Sequence, residues 1–243
     1  MAKKIAKSQS RPRGPRRSSA PVKAKQRRPS LQASLTMAEE KPLSGIKCPG
    51  DIQDMLDKLP YDASYYCRSV KQTLQLKQGH CFAGALLGAH CLTRLGYPPL
   101  VVSMLADPSL DDSHAIAVYQ KDGLWGSVSK SNYTGVRGRD PVYKSVRELV
   151  MSYYNFYCNK EGIKTLVAHS APINLNKVDR AQEWVYRTDV KNGARKVDKA
   201  TECWTKKLLP KSFTRSKLTV LKGTTLKGQV LGANKAGLFK TAC

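Results

Sequence analysis

The chain has 243 residues, 41% hydrophobic and 25% charged, enough for one ordinary domain with tails. No apolar run approaches the roughly 18 residues of a membrane span, and the basic start Met1-Ala-Lys-Lys-Ile-Ala-Lys7 lacks the apolar segment of a secretory signal. Seven irregularly spaced cysteines do not make a disulfide scaffold and read as reduced thiols in an intracellular compartment, whether cytoplasmic, nuclear or organellar.

The formal net charge of +24 is concentrated at the ends. Residues 1–40 carry 11 basic and 2 acidic side chains, and residues 201–243 carry 9 basic and 1 acidic. These ends read either as solvated tails or as contacts to nucleic acid or another polyanion. RNP-type aromatics, zinc-finger spacing and heptads are all missing from the sequence.

Residues 1–38 hold no acidic side chain and little apolar surface, so the reading for 1–40 is a disordered basic tail. Its Arg- and Ser-rich composition fits a transit peptide, although Pro12, Pro15, Pro21 and Pro29 oppose an amphipathic helix. Clusters such as Arg27-Arg28 fit a nuclear address or a polyanion anchor equally well. A folded domain is expected over 41–178, with order beginning near Pro42, followed by a basic extension over 179–243.

Within that domain, Ile52, Met55, Leu56 and Leu59 share a helical face that Pro60 ends. A second helix is predicted from Cys81 to Leu95, stopped by Gly96 and Pro98-Pro99, and its small residues suggest close burial against a sheet. Strands follow at Leu100–Leu105, His114–Gln120 and Leu124–Lys130, the last two joined by the hairpin signal Asp122-Gly123. A third helix is predicted over Val146–Cys158, opened by Ser145 and Glu148 as a capping box. Beyond residue 180 the pattern weakens to a short element near Gln182–Arg187, a turn at Asn192-Gly193, and a loose repeat at 221–228 read as a small hairpin. Trp184 and Trp204 are expected to pin this segment to the domain.

Chemistry concentrates on two residues. Cys81 opens its helix, where the helix dipole stabilises a thiolate and lowers its pKa; the bland alternative is a small buried apolar residue. His114 opens a strand, a rigid base for an imidazole that must reach a helix terminus. Together they make the pair of an activated thiol, which needs a third group to orient the ring. A two-residue turn at Asp122-Gly123 sets Ile116 opposite Ser129 and His114 opposite Ser131, all on one face of the sheet, and turns Lys130 and Asn132 to the other. Ser129 and Ser131 are therefore the residues able to steady His114, with Asn132 available after a bulge. Zinc is a poor rival for these residues. Cys81 and His90, nine apart on one helix, fall on opposite faces, so His80-Cys81 and His90-Cys91 do not share one tetrahedral site, and no Cys-x-x-Cys occurs. No cofactor is expected.

Gly79-His-Cys81-Phe-Ala-Gly-Ala-Leu-Leu, Leu95-Gly-Tyr-Pro-Pro-Leu-Val-Val, His114-Ala-Ile-Ala-Val-Tyr and Gly123-Leu-Trp125-Gly-Ser-Val-Ser129 resemble the transglutaminase-like branch of papain-like cysteine enzymes over about residues 65–160. The resemblance implies an α+β fold, with an antiparallel sheet packed on the helix that carries Cys81 at its N-terminus. It implies Cys81 as nucleophile, His114 as base and Trp125 as a strand marker. The family's aspartate position falls on Ser129, a departure that weakens the expected triad. Asn132, by analogy with the papain-type asparagine, and Asp140 are the other candidates for orienting the ring. A glutamine upstream often completes the oxyanion hole in such sites, which nominates Gln75 or Gln78. The implied activity is thiol-dependent hydrolysis or acyl transfer on a peptide, amide or ester. The alternative is a catalytically weak or inactive version serving as a binding or structural component with polyanion-contacting tails.

Overall fold

The computed structural model describes residues 35–64, 66–188, 205–210 and 215–239. Residues 1–34 of the basic tail, the Asn192-Gly193 turn and Trp204 lie outside them, while residues 37–40, expected to be disordered, are helical. The described chain is mixed α+β. Order is already present at Thr36, upstream of the Pro42 expected from sequence, because Thr36 and Glu39 form a reciprocal capping box for α1 (Met37–Glu40).

α2 (Pro49–Lys58) buries Ile52 and Leu56, and α3 (Val70–Leu76) is opened by a Ser69–Gln72 capping box. α4 (Cys81–Arg94) is the central helix, buried on nearly every side from Phe82 to Leu92. Its glycines make that position sterically attainable. A Cβ on Gly84 would collide with Lys130 Cβ, and one on Gly88 would lie 2.8 Å from Val128 Cγ2. The helix therefore lies almost backbone-to-strand on the sheet.

The strands are β1 (Leu100–Ala106), β2 (His114–Lys121), β3 (Leu124–Val128), β4 (Arg139–Tyr143), β5 (Leu166–Ser170), β6 (Ile173–Asn174) and β7 (Thr205–Lys207). They form one antiparallel sheet in the order β4-β3-β2-β1-β5-β7, with β6 also pairing with β1. The hairpin register is the one that the Asp122-Gly123 turn demands. Lys121 pairs with Leu124 and Ala117 with Val128, and both turn residues take positive φ, 51° and 80°. β1 pairs with β2 so that Met104 meets His114.

Alternation along these strands makes two cores. Val101, Ala115, Ala117 and Val128 pack with α4, α2 and α3. Val102, Met104, Ile116 and Val118 face α5 (Val146–Met151) and the tyrosines that follow it. The remaining α-helices among the described residues are α6 (Leu175–Val178), α7 (Glu183–Tyr186) and α8 (Gly223–Gln229). Trp184, on α7, is fully buried against the α4 side.

Three expected elements differ. The helix predicted through Cys158 stops at Met151, because the Ser152 hydroxyl bonds the Leu149 carbonyl at 2.6 Å and the chain continues in separate turns to Tyr157. The strand predicted through Lys130 stops at Val128, because a side chain takes over the backbone of Ser129, as described below. The 221–228 segment forms helix α8 rather than a hairpin. α8 is docked by Gln229, whose Oε1 accepts from Gly135 N–H at 3.0 Å, and by Thr134, whose hydroxyl donates to the Gly228 carbonyl at 2.7 Å. Among the described residues, no helix is long and apolar enough to cross a membrane.

Candidate functional site

The site forms where α4 starts and β2 starts, at one end of the sheet. His80 is the N-cap of α4. Its Nδ1 accepts from Phe82 N–H at 3.1 Å, and its Nε2 lies 2.7 Å from the Tyr66 carbonyl oxygen, which accepts from it. This anchors the first turn and leaves the half-buried Cys81 at its outer edge, with Sγ 4.0 Å from the Ser113 carbonyl oxygen just ahead of β2.

Burial pushes the Cys81 thiol up, but hydrogen bonding and charge from His114, and then His80, more than offset it and hold the thiol well below its ordinary pKa. The other buried cysteines behave oppositely, with burial raising Cys91 to about 12 and Cys158 to about 11.

His114 is buried, and the Tyr157 ring packs edge-on against it with centroids 6.5 Å apart. The Tyr157 hydroxyl donates to the Asp112 carbonyl at 2.9 Å, tying the loop before β2 to the segment after α5. Nε2 of His114 lies 2.7 Å from Ser129 Oγ, and Ser129 Oγ lies 3.1 Å from the Val136 carbonyl oxygen.

Ser129 is held by α2. The Gln53 side-chain amide accepts from Ser129 N–H at 2.9 Å and donates to the Ser129 carbonyl at 2.9 Å, replacing the strand partner that would continue β3. Gln53 Oε1 also accepts from Gly138 N–H at 3.1 Å. No local pattern marks Gln53; it is one polar residue on an amphipathic helix.

Ser131 and Asn132 line the inner cavity beside Cys81 and His114 but bond to other partners, and the remaining sequence candidates lie outside it. Ser131 Oγ accepts from Tyr133 N–H at 2.9 Å, forming a turn. Asn132 is engaged with Asn234, 102 residues later, and not with His114. Asp140 is exposed on β4. Gln75 donates to the Glu39 carboxylate at 2.8 Å, and neither it nor Gln78 lines the two cavities described at Cys81. Lys130 faces α4, as alternation requires. Its ammonium donates to the Leu59 carbonyl, and burial pulls its pKa down to about 8.

Those two cavities meet at Cys81 and share Tyr61, Asp112, Ser113 and Gly237. The inner one, of about 60 Å³, runs back past His114 to Asp111, Tyr133 and Tyr157. The outer one, of about 250 Å³, opens over His80, Phe82, Cys67 and residues 62–64. Asp62 is held there by its ion pair with Arg68 at 2.6 Å. Asp111 was visible in sequence only as part of a polar loop. It is a buried carboxyl, and burial raises its pKa to about 6 against the opposing pull of Thr165 and the Asp112 backbone.

The arrangement brings together a thiol poised to ionise, an imidazole with an assigned partner, and an open face from which a molecule can approach. No protein-family model matches the chain, and no curated protein matches it.

Proposed function

We propose that the protein is a transglutaminase-like thiol hydrolase or acyltransferase, with a papain-like core in which Cys81 is the nucleophile and His114 the base. The observation that carries this reading is the chain of contacts from His114 through Ser129 to the Val136 carbonyl, which assigns the His114 tautomer. A serine hydroxyl has one proton, and Ser129 gives it to the Val136 carbonyl, so its oxygen accepts from His114 Nε2–H. The basic lone pair of the neutral ring is then on Nδ1, the nitrogen left for the Cys81 thiol.

In this mechanism Nδ1 takes the Sγ proton and the thiolate attacks the carbonyl carbon of an amide or ester. The carbonyl oxygen becomes an oxyanion. The Cys81 N–H, first in α4, is the donor closest to it in sequence, because the Phe82 N–H is already taken by His80 Nδ1. Collapse of the intermediate expels the amine or alcohol, which takes the proton from Nδ1 and leaves an acyl group on Sγ. Water or an amine then gives its proton to Nδ1, attacks the thioester and restores the thiol. Hydrolysis and transfer share every step but the last nucleophile.

The test is the pH dependence of Cys81 alkylation, mapped by mass spectrometry beside exposed Cys48 and compared with His114→Ala. The proposal expects Cys81 to react well below pH 8, with a strong slowing in the variant. Reaction no faster than Cys48, with no effect of His114, would sink it in favour of the inactive binding component, a reading that the hydroxyl at Ser129 favours.

A further inference from the structure

The geometry points to the C-terminal segment as a wall of the Cys81 cleft: Asn132 clasps residues 234–239 so that Gly237 and Phe239 set how wide a substrate can reach the thiol. This rests on the reading of Cys81 as the reactive group, but its test needs no turnover.

The clasp is reciprocal. Asn132 Nδ2 donates to the Asn234 carbonyl at 2.9 Å, and Asn132 Oδ1 accepts from Asn234 N–H at 2.8 Å. A buried side-chain amide thus pairs with one backbone unit as a strand would. Asn234 in turn donates from Nδ2 to the Tyr61 carbonyl at 3.0 Å and accepts from Ala236 N–H at 3.1 Å, starting a turn over Lys235–Gly237. That turn lays Gly237 on Tyr61 so closely that a Cβ there would stand 2.8 Å from the ring, and 3.4 Å from Asn132 Nδ2.

Gly237 borders both cavities at Cys81, and Phe239 borders the inner one. Upstream, α8 docks on Thr134 and Gly135, so the segment approaches the site from a fixed point. The wall over the cleft itself hangs on a few hydrogen bonds between Asn132, Asn234 and Tyr61. Losing the reciprocal pair should raise the population with the wall displaced by about tenfold, the scale set by two ordinary hydrogen bonds. Substrates slim enough to pass the closed wall gain little from its release, and broad ones gain most.

The experiment uses the full chain and compares Cys81 alkylation by iodoacetamide with that by a bulky fluorescein iodoacetamide, in wild type, Asn132→Ala, Asn132→Asp and Asn234→Ala. The readout is the ratio of bulky to small rates. It should rise about tenfold in Asn132→Ala, at least as much in Asn132→Asp, whose carboxylate faces the Asn234 carbonyl with no proton to offer, and less in Asn234→Ala, which loses only the Tyr61 tie and the turn cap. An unchanged ratio overturns the proposal, whether both rates hold or both fall, because the segment would then support the site without limiting it. Asn234 is exposed, so its variant keeps the test open if substitution of buried Asn132 unfolds the chain. Failure of the thiol reading itself shows separately, in the wild-type iodoacetamide pH profile.

Discussion

His114 Nε2 and Ser129 Oγ lie 2.7 Å apart, and a third atom, the Val136 carbonyl oxygen 3.1 Å from Oγ, decides which of them donates. The serine cannot give its single proton twice, so the imidazole is the donor, and its other nitrogen is the base in the proposed mechanism. A hydroxyl in this position orients the ring, but it does not stabilise imidazolium as a carboxylate does.

Ser129→Ala should therefore slow Cys81 alkylation by about one to two orders of magnitude at neutral pH, the usual scale of losing an orienting partner in acid–base chemistry. Ser129→Asp behaves differently from a simple restoration of charge. The carboxylate accepts from His114 but faces the Val136 carbonyl with no proton to offer, and the buried mismatch costs about 1–3 kcal/mol. The expected result is thiol reactivity at or above wild type together with a lower melting temperature. Reactivity below that of Ser129→Ala would show that the ring is held by something other than Ser129.

The residues legible in the sequence are those whose placement is local. Cys81 follows from where α4 can begin, and the pair Ser129 and Ser131 follows from His114 through the register of a two-residue turn, whereas the capping role of His80 was not read. What could not be read is carried by side chains reaching backbone far along the chain. Gln53 meets Ser129 across 76 residues and Asn132 meets Asn234 across 102, and neither pairing leaves a periodicity or a spacing. Asn132, a candidate for steadying the histidine by analogy with papain-type sites, lines the cavity beside His114, but its amide is engaged by the C-terminal segment. The same physics shortens β3, since a strand ends where a side-chain amide takes its next hydrogen bonds.

His80 joins two roles that substitution can separate. His80→Ala removes the cap on Phe82 N–H and should cost about 1 kcal/mol of stability, while raising the thiol pKa. His80→Asp keeps a capping oxygen and so most of the stability, yet places an anion beside Cys81 and should raise the thiol pKa further. Thermal melts and the alkylation midpoint, measured on the same samples, check both. Equal midpoints in the two variants would remove His80 from the electrostatics of the thiol.

Gly84 couples the position of α4 to that of the site. In Gly84→Ala the new methyl meets Lys130 Cβ, close to the strand backbone rather than at the tip of a movable side chain. The helix must back away from β3, carrying Cys81 away from His114. A loss of about 1–3 kcal/mol is expected from the overpacking, with a fall in Cys81 reactivity in the fraction that stays folded. Gly45→Ala, where nothing lies within 4 Å, is the matched control and should change neither. Lost stability with unchanged reactivity would show that the sheet moves with the helix.

Asp111 gives the chain a stability term of unusual sign. Its Oδ2 accepts from the Thr165 hydroxyl at 2.7 Å and its Oδ1 from Asp112 N–H at 2.9 Å, but burial dominates and lifts the pKa to about 6 from an ordinary 3.8. Between those values the folded chain holds a proton that the unfolded chain has released. Stability from this group is therefore full below pH 4, falls as pH rises, and is lost above pH 6, a change of about 3 kcal/mol at most. Asp111→Asn is neutral at every pH and can turn its NH₂ toward Thr165, whose hydroxyl rotates to accept. The variant should match wild type near pH 4 and be more stable by roughly 1–3 kcal/mol at pH 8, the difference opening between pH 4 and 6. Asp111 also shares the inner cavity with His114, and attraction to the imidazole opposes the effect of burial on its carboxyl. The same substitution should therefore slow Cys81 alkylation above pH 6 and leave it unchanged below. Denaturant titrations at pH 4.5, 6 and 8, paired with alkylation rates, separate the two effects. A variant destabilised equally at all three pH values would mean that Asp111 serves only as a hydrogen-bond acceptor for its loop.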